Sequence, residues 1–153
     1  MIAGATSSSP SIDYSLPFQQ LNNATEEAAQ SSYSVERPQN TTNAKIYDQI
    51  IDASKKYGIY GDTALRIAKC ESDFHQFDEN GNVARGKVNP SDVGVFQINE
   101  KYHLDRSQNL DLDIHTTKGN IEYAMWLMKK EGTKHWNWSK PCWGNDGKVL
   151  AQK

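Results

Sequence analysis

Apolar residues recur every three or four positions in three segments after residue 43, and this spacing predicts a mainly helical domain. The first segment carries an apolar face from Ile46 to Tyr57. Asn43 is its expected N-cap and Gly58 its expected end, because asparagine side chains accept from free helix N–H groups and glycine adopts the left-handed conformation that closes a helix.

The second helical segment has an acid within its apolar stripe. Asp62 is the expected cap, and Ala64, Ile67, Ala68 and Glu71 follow at offsets of 0, 3, 4 and 7. Residues at those offsets share one face of a helix. The pattern therefore predicts a carboxyl group set against apolar neighbours.

The third segment is the longest helix that the sequence predicts. Thr116 or Thr117 is the expected cap, Ile121 to Met128 carries the apolar repeat, and Gly132 is the expected stop. Between the second and third helices, Asn80-Gly81 predicts a β-hairpin that joins residues 75–77 to 83–88. Residues 93–98 are short and apolar, and are interpreted as a third strand or an extended entry to a helix. The predicted fold class is α+β: a mainly α-helical domain with a small β-hairpin wing.

Residues 1–44 are rich in serine, glutamine and asparagine and show no apolar period, so they are interpreted as a low-complexity flexible tail before a domain at 45–153. The tail holds one of the 17 basic and four of the 19 acidic residues. The domain is left with 16 basic and 15 acidic residues, a net charge of +1, which argues against a nucleic-acid partner. The chain has no run of 18 apolar residues for a membrane span, and its first residues lack the pattern of a signal peptide.

Cys70 and Cys142 are the two cysteines of the chain. An even pair fits one disulfide in an oxidising compartment, and two buried thiols remain the alternative. We favour the disulfide, because closing a loop of this length contributes about 4 kcal/mol on the chain-entropy description. Such a bond would tie the C-terminal segment to the second helix.

Three short blocks resemble, in order, the signature blocks of the soluble lytic transglycosylases and their lysozyme relatives. They are CESDF at 70–74, GVFQIN at 94–99 and NIEYA at 120–124. The resemblance runs from about residue 46 to residue 143. It implies a lysozyme-like fold, cleavage of the peptidoglycan bond between N-acetylmuramic acid and N-acetylglucosamine, and Glu71 as the catalytic acid. It also implies a monomer that acts outside the cytoplasm, without a cofactor.

The chemistry of glycoside cleavage agrees with this role for Glu71. The reaction needs a carboxylic acid that remains protonated near neutral pH, and apolar surroundings disfavour the charged form. We expect Ala64, Ile67 and Ala68 to supply those surroundings. An ordinary solvent-facing or capping glutamate is the alternative for any single Glu.

By resemblance, five further residues are expected at the substrate: Ser72, Gly94, Gln97, Asn120 and Tyr123. The Ser72 hydroxyl would orient the sugar or the carboxyl, or would only end its helix. The Gln97 amide would reach into the cleft, and Gly94 would let the backbone approach the saccharide. Asn120 and Tyr123 are three residues apart and therefore share a helix face.

The reaction outcome depends on a second carboxylate. Asp92 stands two residues before Gly94, as an aspartate does in hen-type lysozymes, and would make the protein a retaining or inverting hydrolase. Many lytic transglycosylases lack that residue and form a 1,6-anhydro product with one glutamate as acid and then base. The blocks favour the second outcome, although Asp92 as a simple turn cap also fits.

Several other features of the sequence also fit ordinary structural roles. Trp136, Trp138 and Trp143 fit either packing or stacking on sugar rings, with one of them at most expected at the sugar. Asp78-x-Asn-x-Asn is interpreted as a turn instead of a calcium loop, and no histidine spacing predicts a metal site. A non-catalytic glycan-binding module and a part of a wall-penetrating machine, with the tail as a docking segment, are the rival functions.

Overall fold

The computed structural model describes residues 33–144. The part of the predicted tail at residues 1–32 lies outside this range, as do residues 145–153. Within it the fold is α+β and dominated by helices, with one small antiparallel sheet, as the sequence predicts.

Helix α1 (Thr41–Tyr57) begins earlier than its apolar period indicates. Asn40, not Asn43, is the N-cap, and its side chain accepts from the amides of Thr42 and Asn43 at 2.8 and 3.3 Å. The predicted end is confirmed, because Gly58 closes the helix at φ +70. Asparagine occurs at both positions, so only the observed hydrogen bonds distinguish the two caps.

Residues 33–40, which the prediction includes in the tail, contact the helices that follow. The compact unit begins at Tyr33, and Val35 is only 7% exposed. The Tyr47 hydroxyl donates to the Val35 carbonyl at 3.0 Å, and Arg37 forms an ion pair with Asp48 at 2.6 Å. Long-range contacts fix this segment, and a local apolar period cannot reveal them.

Helix α2 (Gly61–Ser72) has Tyr60 as its N-cap, so the expected cap at Asp62 was wrong. Asp62 lies in the first turn and accepts from the backbone and hydroxyl of Ser34 at 2.6 and 2.7 Å. It also pairs with Arg66 one turn later at 3.1 Å. Its carboxylate therefore joins residues 33–40 to α2 instead of capping the helix.

The sheet consists of β1 (Asp92–Val93) and β2 (Ile98–Asn99), which pair antiparallel. The hairpin expected around Asn80-Gly81 is reduced to a single bridge between Phe77 and Val83. The third strand expected at residues 93–98 is not continuous, because a turn interrupts it. Its first residue belongs to β1 and its last to β2, and these two strands pair with each other. The turn at Asp78 is an Asx turn, in which its carboxylate accepts from the amides of Asn80 and Asn82.

Helix α3 (Glu100–Gln108) follows β2 directly, which agrees with the extended entry considered for residues 93–98. Helix α4 (Thr117–Glu131) has both predicted ends: Thr116 caps it through the Gly119 amide at 3.1 Å, and Gly132 follows at φ +67. A 3-10 turn (Lys134–Trp136) and the short helix α5 (Lys140–Trp143) complete the described chain.

The core lies among α1, α2 and α4, with α1 packed against both other helices. The predicted apolar faces are confirmed at their centres, since Ile50, Ala64, Ile67, Ala68 and Leu127 are fully buried. A disulfide joins Cys70 on α2 to Cys142 on α5, across 72 positions of sequence. Helix α2 also packs on α5. None of the helices within residues 33–144 has the length and apolar character to cross a membrane.

Candidate functional site

A groove of about 810 Å³ runs beside the C-terminal end of α2. Its walls come from α2, the β1–β2 segment, α3, α4 and the segment between α4 and α5. Glu71, Asp92 and Gln97, three of the residues proposed from the sequence for the site, line this groove. Residues that sequence reasoning did not assign to a site, among them His103 and Ser139, line it as well.

Glu71 lies in the last turn of α2, half-buried at the groove. Burial raises the pKa of its carboxyl above the ordinary value, and the nearby charge of Asp92 raises it further. A hydrogen bond donated by the Ser139 hydroxyl to Oε1 opposes this shift. Ile98, Leu127 and Trp136 are among the apolar side chains that line the same groove. Glu71 therefore has the property of a general acid: its neutral form persists to higher pH than that of an exposed glutamate.

Asp92 lies on β1, in the same groove. Its Oδ1 accepts from the side-chain amides of Asn89 and Asn99 at 3.1 and 2.7 Å. These two bonds fix the carboxylate in one orientation. Asn99 Oδ1 is itself buried without a hydrogen-bond partner among the described residues, which leaves an acceptor next to Asp92 at the groove.

Two buried amides brace the wall that carries Gln97. Asn120 is fully buried, where Oδ1 accepts from the Phe96 amide and Nδ2 donates to the carbonyls of Val93 and Ile114, each at 2.9 Å. Gln76, also buried, accepts from the Val95 amide at 3.1 Å. Asn120 thus lies behind the wall, where its side chain holds the backbone of residues 93–96 in place.

Gly94 and Gln97 both have left-handed backbone conformations, at φ +72 and +49. A Cβ atom at Gly94 would overlap the amides of Gln76 and Asn120, so glycine is needed for the close approach of these buried side chains. Gln97 is strained for a non-glycine residue, and its Nε2 donates to the Gly94 carbonyl at 2.9 Å. Of the two, Gln97 lines the groove.

Ser72 and Tyr123 do not line the groove. The Ser72 hydroxyl donates to the Val95 carbonyl at 2.8 Å, which ties the end of α2 to the β1–β2 turn. Tyr123 is fully buried, and its hydroxyl lies 3.0 Å from Nδ1 of His103. Each of them contacts a part of the groove from behind. Ser72 bonds to the backbone of the wall, and Tyr123 contacts His103, which lines the groove.

The three tryptophans of the C-terminal segment divide into two classes. Trp136 and Trp143 are buried; the Trp136 indole donates to the Phe96 carbonyl and that of Trp143 to the Trp136 carbonyl, both at 2.9 Å. Trp138 is 99% exposed and lines the groove. Tyr102, 79% exposed, lines it too. Exposed aromatic side chains thus flank a groove that contains Glu71.

Sequence reasoning missed Ser139, His103 and His135 because no local pattern marks them. The rings of His103 and His135 lie 5.0 Å apart at the groove, and burial together with His135 lowers the pKa of His103. This lowered pKa favours the neutral form of the His103 imidazole. The predicted disulfide was the one sequence feature that could have indicated Ser139. It joins Cys142, three residues after Ser139, to Cys70, the residue directly before Glu71.

No group of three or more His, Cys, Asp or Glu side chains within residues 33–144 is arranged to hold a metal ion. Comparison of the chain with protein-family models, with curated proteins and with solved structures gives no match. The groove and its side chains therefore carry the functional argument.

Proposed function

We propose that this protein cleaves the glycan strands of peptidoglycan at the bond between N-acetylmuramic acid and N-acetylglucosamine, with Glu71 as acid and base. The observation that carries the proposal is a carboxyl group whose pKa is raised by burial, at a groove flanked by exposed aromatic side chains. The resemblance of residues 70–74, 94–99 and 120–124 to the lytic transglycosylases supports the choice of substrate.

The favoured reaction forms a 1,6-anhydro end. Neutral Glu71 donates its proton to the glycosidic oxygen, and the bond from that oxygen to the anomeric carbon breaks. The resulting Glu71 carboxylate then takes the proton of the sugar's own 6-hydroxyl, whose oxygen bonds to the anomeric carbon. One residue is acid and then base, and the turnover consumes no water.

Hydrolysis is the second candidate, and a specific observation favours it. Asp92 lines the same groove as Glu71, and its charge raises the pKa of that carboxyl. The amides of Asn89 and Asn99 hold Asp92 in a fixed orientation, as a nucleophile or a base for water requires.

Trp138 and Tyr102 supply the apolar surface that sugar rings need. The C–H faces of a pyranose pack on an aromatic ring. Covering a solvent-exposed aromatic side chain with a ligand removes apolar surface from water, which favours binding. The buried Trp136 and Trp143 do not offer such a face, so Trp138 is the sugar-stacking residue of the three. Because this substrate lies outside the cytoplasm and the disulfide suits an oxidising compartment, we infer extracytoplasmic action, in the cell envelope, secreted or on a virion.

Zymography on gels that contain peptidoglycan tests the proposal. We expect the wild type to clear the gel and Glu71→Gln to lose about a hundredfold or more of the activity, since a positioned acid contributes at least that much. Glu79→Gln is the matched control, because Glu79 is exposed and does not line the groove. Equal clearing by Glu71→Gln and wild type would refute the proposal, and binding to sacculi without clearing by either would indicate a glycan-binding module.

Mass spectrometry of the digest separates the two reactions. Anhydro ends, with Asp92→Asn still active, are expected for the transglycosylase. Reducing ends, with activity lost in Asp92→Asn, would establish the hydrolase instead.

A further inference from the structure

The closest polar partner of Glu71 comes from a distant part of the chain. Ser139, 68 positions away, donates its hydroxyl to Glu71 Oε1. The same hydroxyl oxygen lies 3.1 Å from the carbonyl oxygen of Trp136. A hydroxyl has one proton to donate and can accept as well, whereas a carbonyl only accepts. Ser139 therefore has two alternative acceptors for a single proton.

This arrangement satisfies both protonation states of Glu71. When Glu71 is charged, the Ser139 proton points to the carboxylate, which is the stronger acceptor. When Glu71 is neutral, its own O–H donates to the Ser139 oxygen, and the Ser139 proton turns to the Trp136 carbonyl. That carbonyl already accepts from the Trp143 indole at 2.9 Å and has a second lone pair for Ser139. The carboxyl can therefore keep a hydrogen bond to Ser139 in both states.

The position of Ser139 depends on the C-terminal segment, residues 133–144. Cys142 lies one helical turn after Ser139, and its amide donates to the Ser139 carbonyl at 2.8 Å. Cys142 is bonded to Cys70, the residue directly before Glu71. The disulfide thus connects the two turns that carry the two partners.

We propose that Ser139 is the positioning residue of Glu71, turning its hydroxyl between the carboxylate and the Trp136 carbonyl as Glu71 loses and gains its proton, and that the Cys70–Cys142 disulfide keeps it there. The catalytic part of this proposal rests on the proposed function, in which Glu71 changes protonation twice in each turnover. The hydrogen-bond part stands by itself, because a titration of Glu71 reads it without any substrate.

The first test follows the side-chain carboxyl carbon of Glu71 by 13C NMR as a function of pH. Because the bond from Ser139 favours the charged form, Ser139→Ala is expected to raise the pKa of Glu71 further. Ser139→Thr retains a hydroxyl and is expected to restore the wild-type titration. Ser107→Ala is the control, since it removes a buried hydroxyl that bonds the Leu104 carbonyl and is not at the groove. An unchanged Glu71 titration in Ser139→Ala would overturn the proposal.

The second test measures turnover on soluble glycan strands. Loss of a hydrogen bond to a charged group predicts that kcat of Ser139→Ala falls about tenfold with KM nearly unchanged, and that Ser139→Thr recovers most of it. If Ser139→Ala shifts the Glu71 titration but leaves kcat unchanged, the hydrogen bond is supported and its role in turnover is refuted. If neither wild type nor variant cleaves glycan, the proposed function fails while the titration still decides on Ser139.

The third test concerns the disulfide. Dithiothreitol reduces it to two thiols and is itself oxidised to its cyclic disulfide. Reduction is expected to move the Glu71 titration of the wild type in the same direction as Ser139→Ala, and to have little effect in Ser139→Ala. The double variant Cys70→Ala/Cys142→Ala controls for effects of the reductant on the rest of the chain. An identical titration before and after complete reduction would refute the part assigned to the disulfide.

Discussion

Replacement of Asn120 by alanine separates two roles for this residue: a substrate ligand, as the sequence suggests by resemblance, or a brace behind the groove, as its contacts indicate. The side chain is fully buried and makes three hydrogen bonds of 2.9 Å to the backbone. In Asn120→Ala the Phe96 amide loses its acceptor, and the carbonyls of Val93 and Ile114 each lose a donor.

The cost follows from counting these groups. An unsatisfied buried polar group costs about 1–3 kcal/mol. The Ile114 carbonyl still accepts from Gln76 at 3.3 Å, so its share is the smallest. We therefore expect Asn120→Ala to lower the free energy of unfolding by about 3–5 kcal/mol, a large part of the roughly 5–15 kcal/mol that a domain possesses.

Urea unfolding followed by tryptophan fluorescence measures this change. With an m-value of about 1.5 kcal/mol per molar, a loss of about 3 kcal/mol lowers the midpoint by about 2 M. Asn109→Ala is the control, since Asn109 is an exposed asparagine that does not line the groove. If Asn120→Ala keeps the wild-type midpoint and raises KM instead, Asn120 binds substrate and the argument for a brace is wrong.

Three further predictions concern residues at or behind the groove. Glu71→Gln is expected to melt at a higher temperature than wild type at pH 7, because the raised pKa means that ionising the buried carboxyl costs stability. The difference in melting temperature should shrink as the pH falls toward 4.5, and a difference that stays constant with pH would contradict this prediction. Trp138→Ala is expected to leave the free energy of unfolding within about 0.5 kcal/mol of wild type and to weaken retention on peptidoglycan. Tyr60 is exposed and does not line the groove, so Tyr60→Ala is the control that should change neither quantity. Equal retention of the two variants would remove Trp138 from the site. Gly94 and Gly81 both have positive φ, but only a Cβ atom at Gly94 would overlap neighbouring side chains. Gly94→Ala is therefore expected to lower the free energy of unfolding more than Gly81→Ala does. Equal losses of stability for the two variants in calorimetry would contradict this prediction.

The residues that the sequence predicts for the site fall into two groups. Glu71, Asp92 and Gln97 do lie on one groove. The others do not line it: Asn120, Gly94 and Ser72 belong to its supporting wall, and Tyr123 lies behind His103. The sequence blocks mark residues that lie near one another without showing which of them face the groove. A buried amide and a substrate-binding amide have the same letter, and only the positions of Val93, Phe96 and Ile114 distinguish them.

The sequence by itself determined the helix-dominated fold class, the apolar faces of three helices, the ends at Gly58 and Gly132, and the cysteine pair. Each of these depends on periodicity, on glycine at a left-handed position or on the number of cysteines, all of which are local or can be counted along the chain. The tertiary structure alone decided that residues 33–40 join the domain and that Ser139 contacts Glu71. Those contacts join residues 28 and 68 positions apart, and chain folding, not sequence spacing, sets the distance between them.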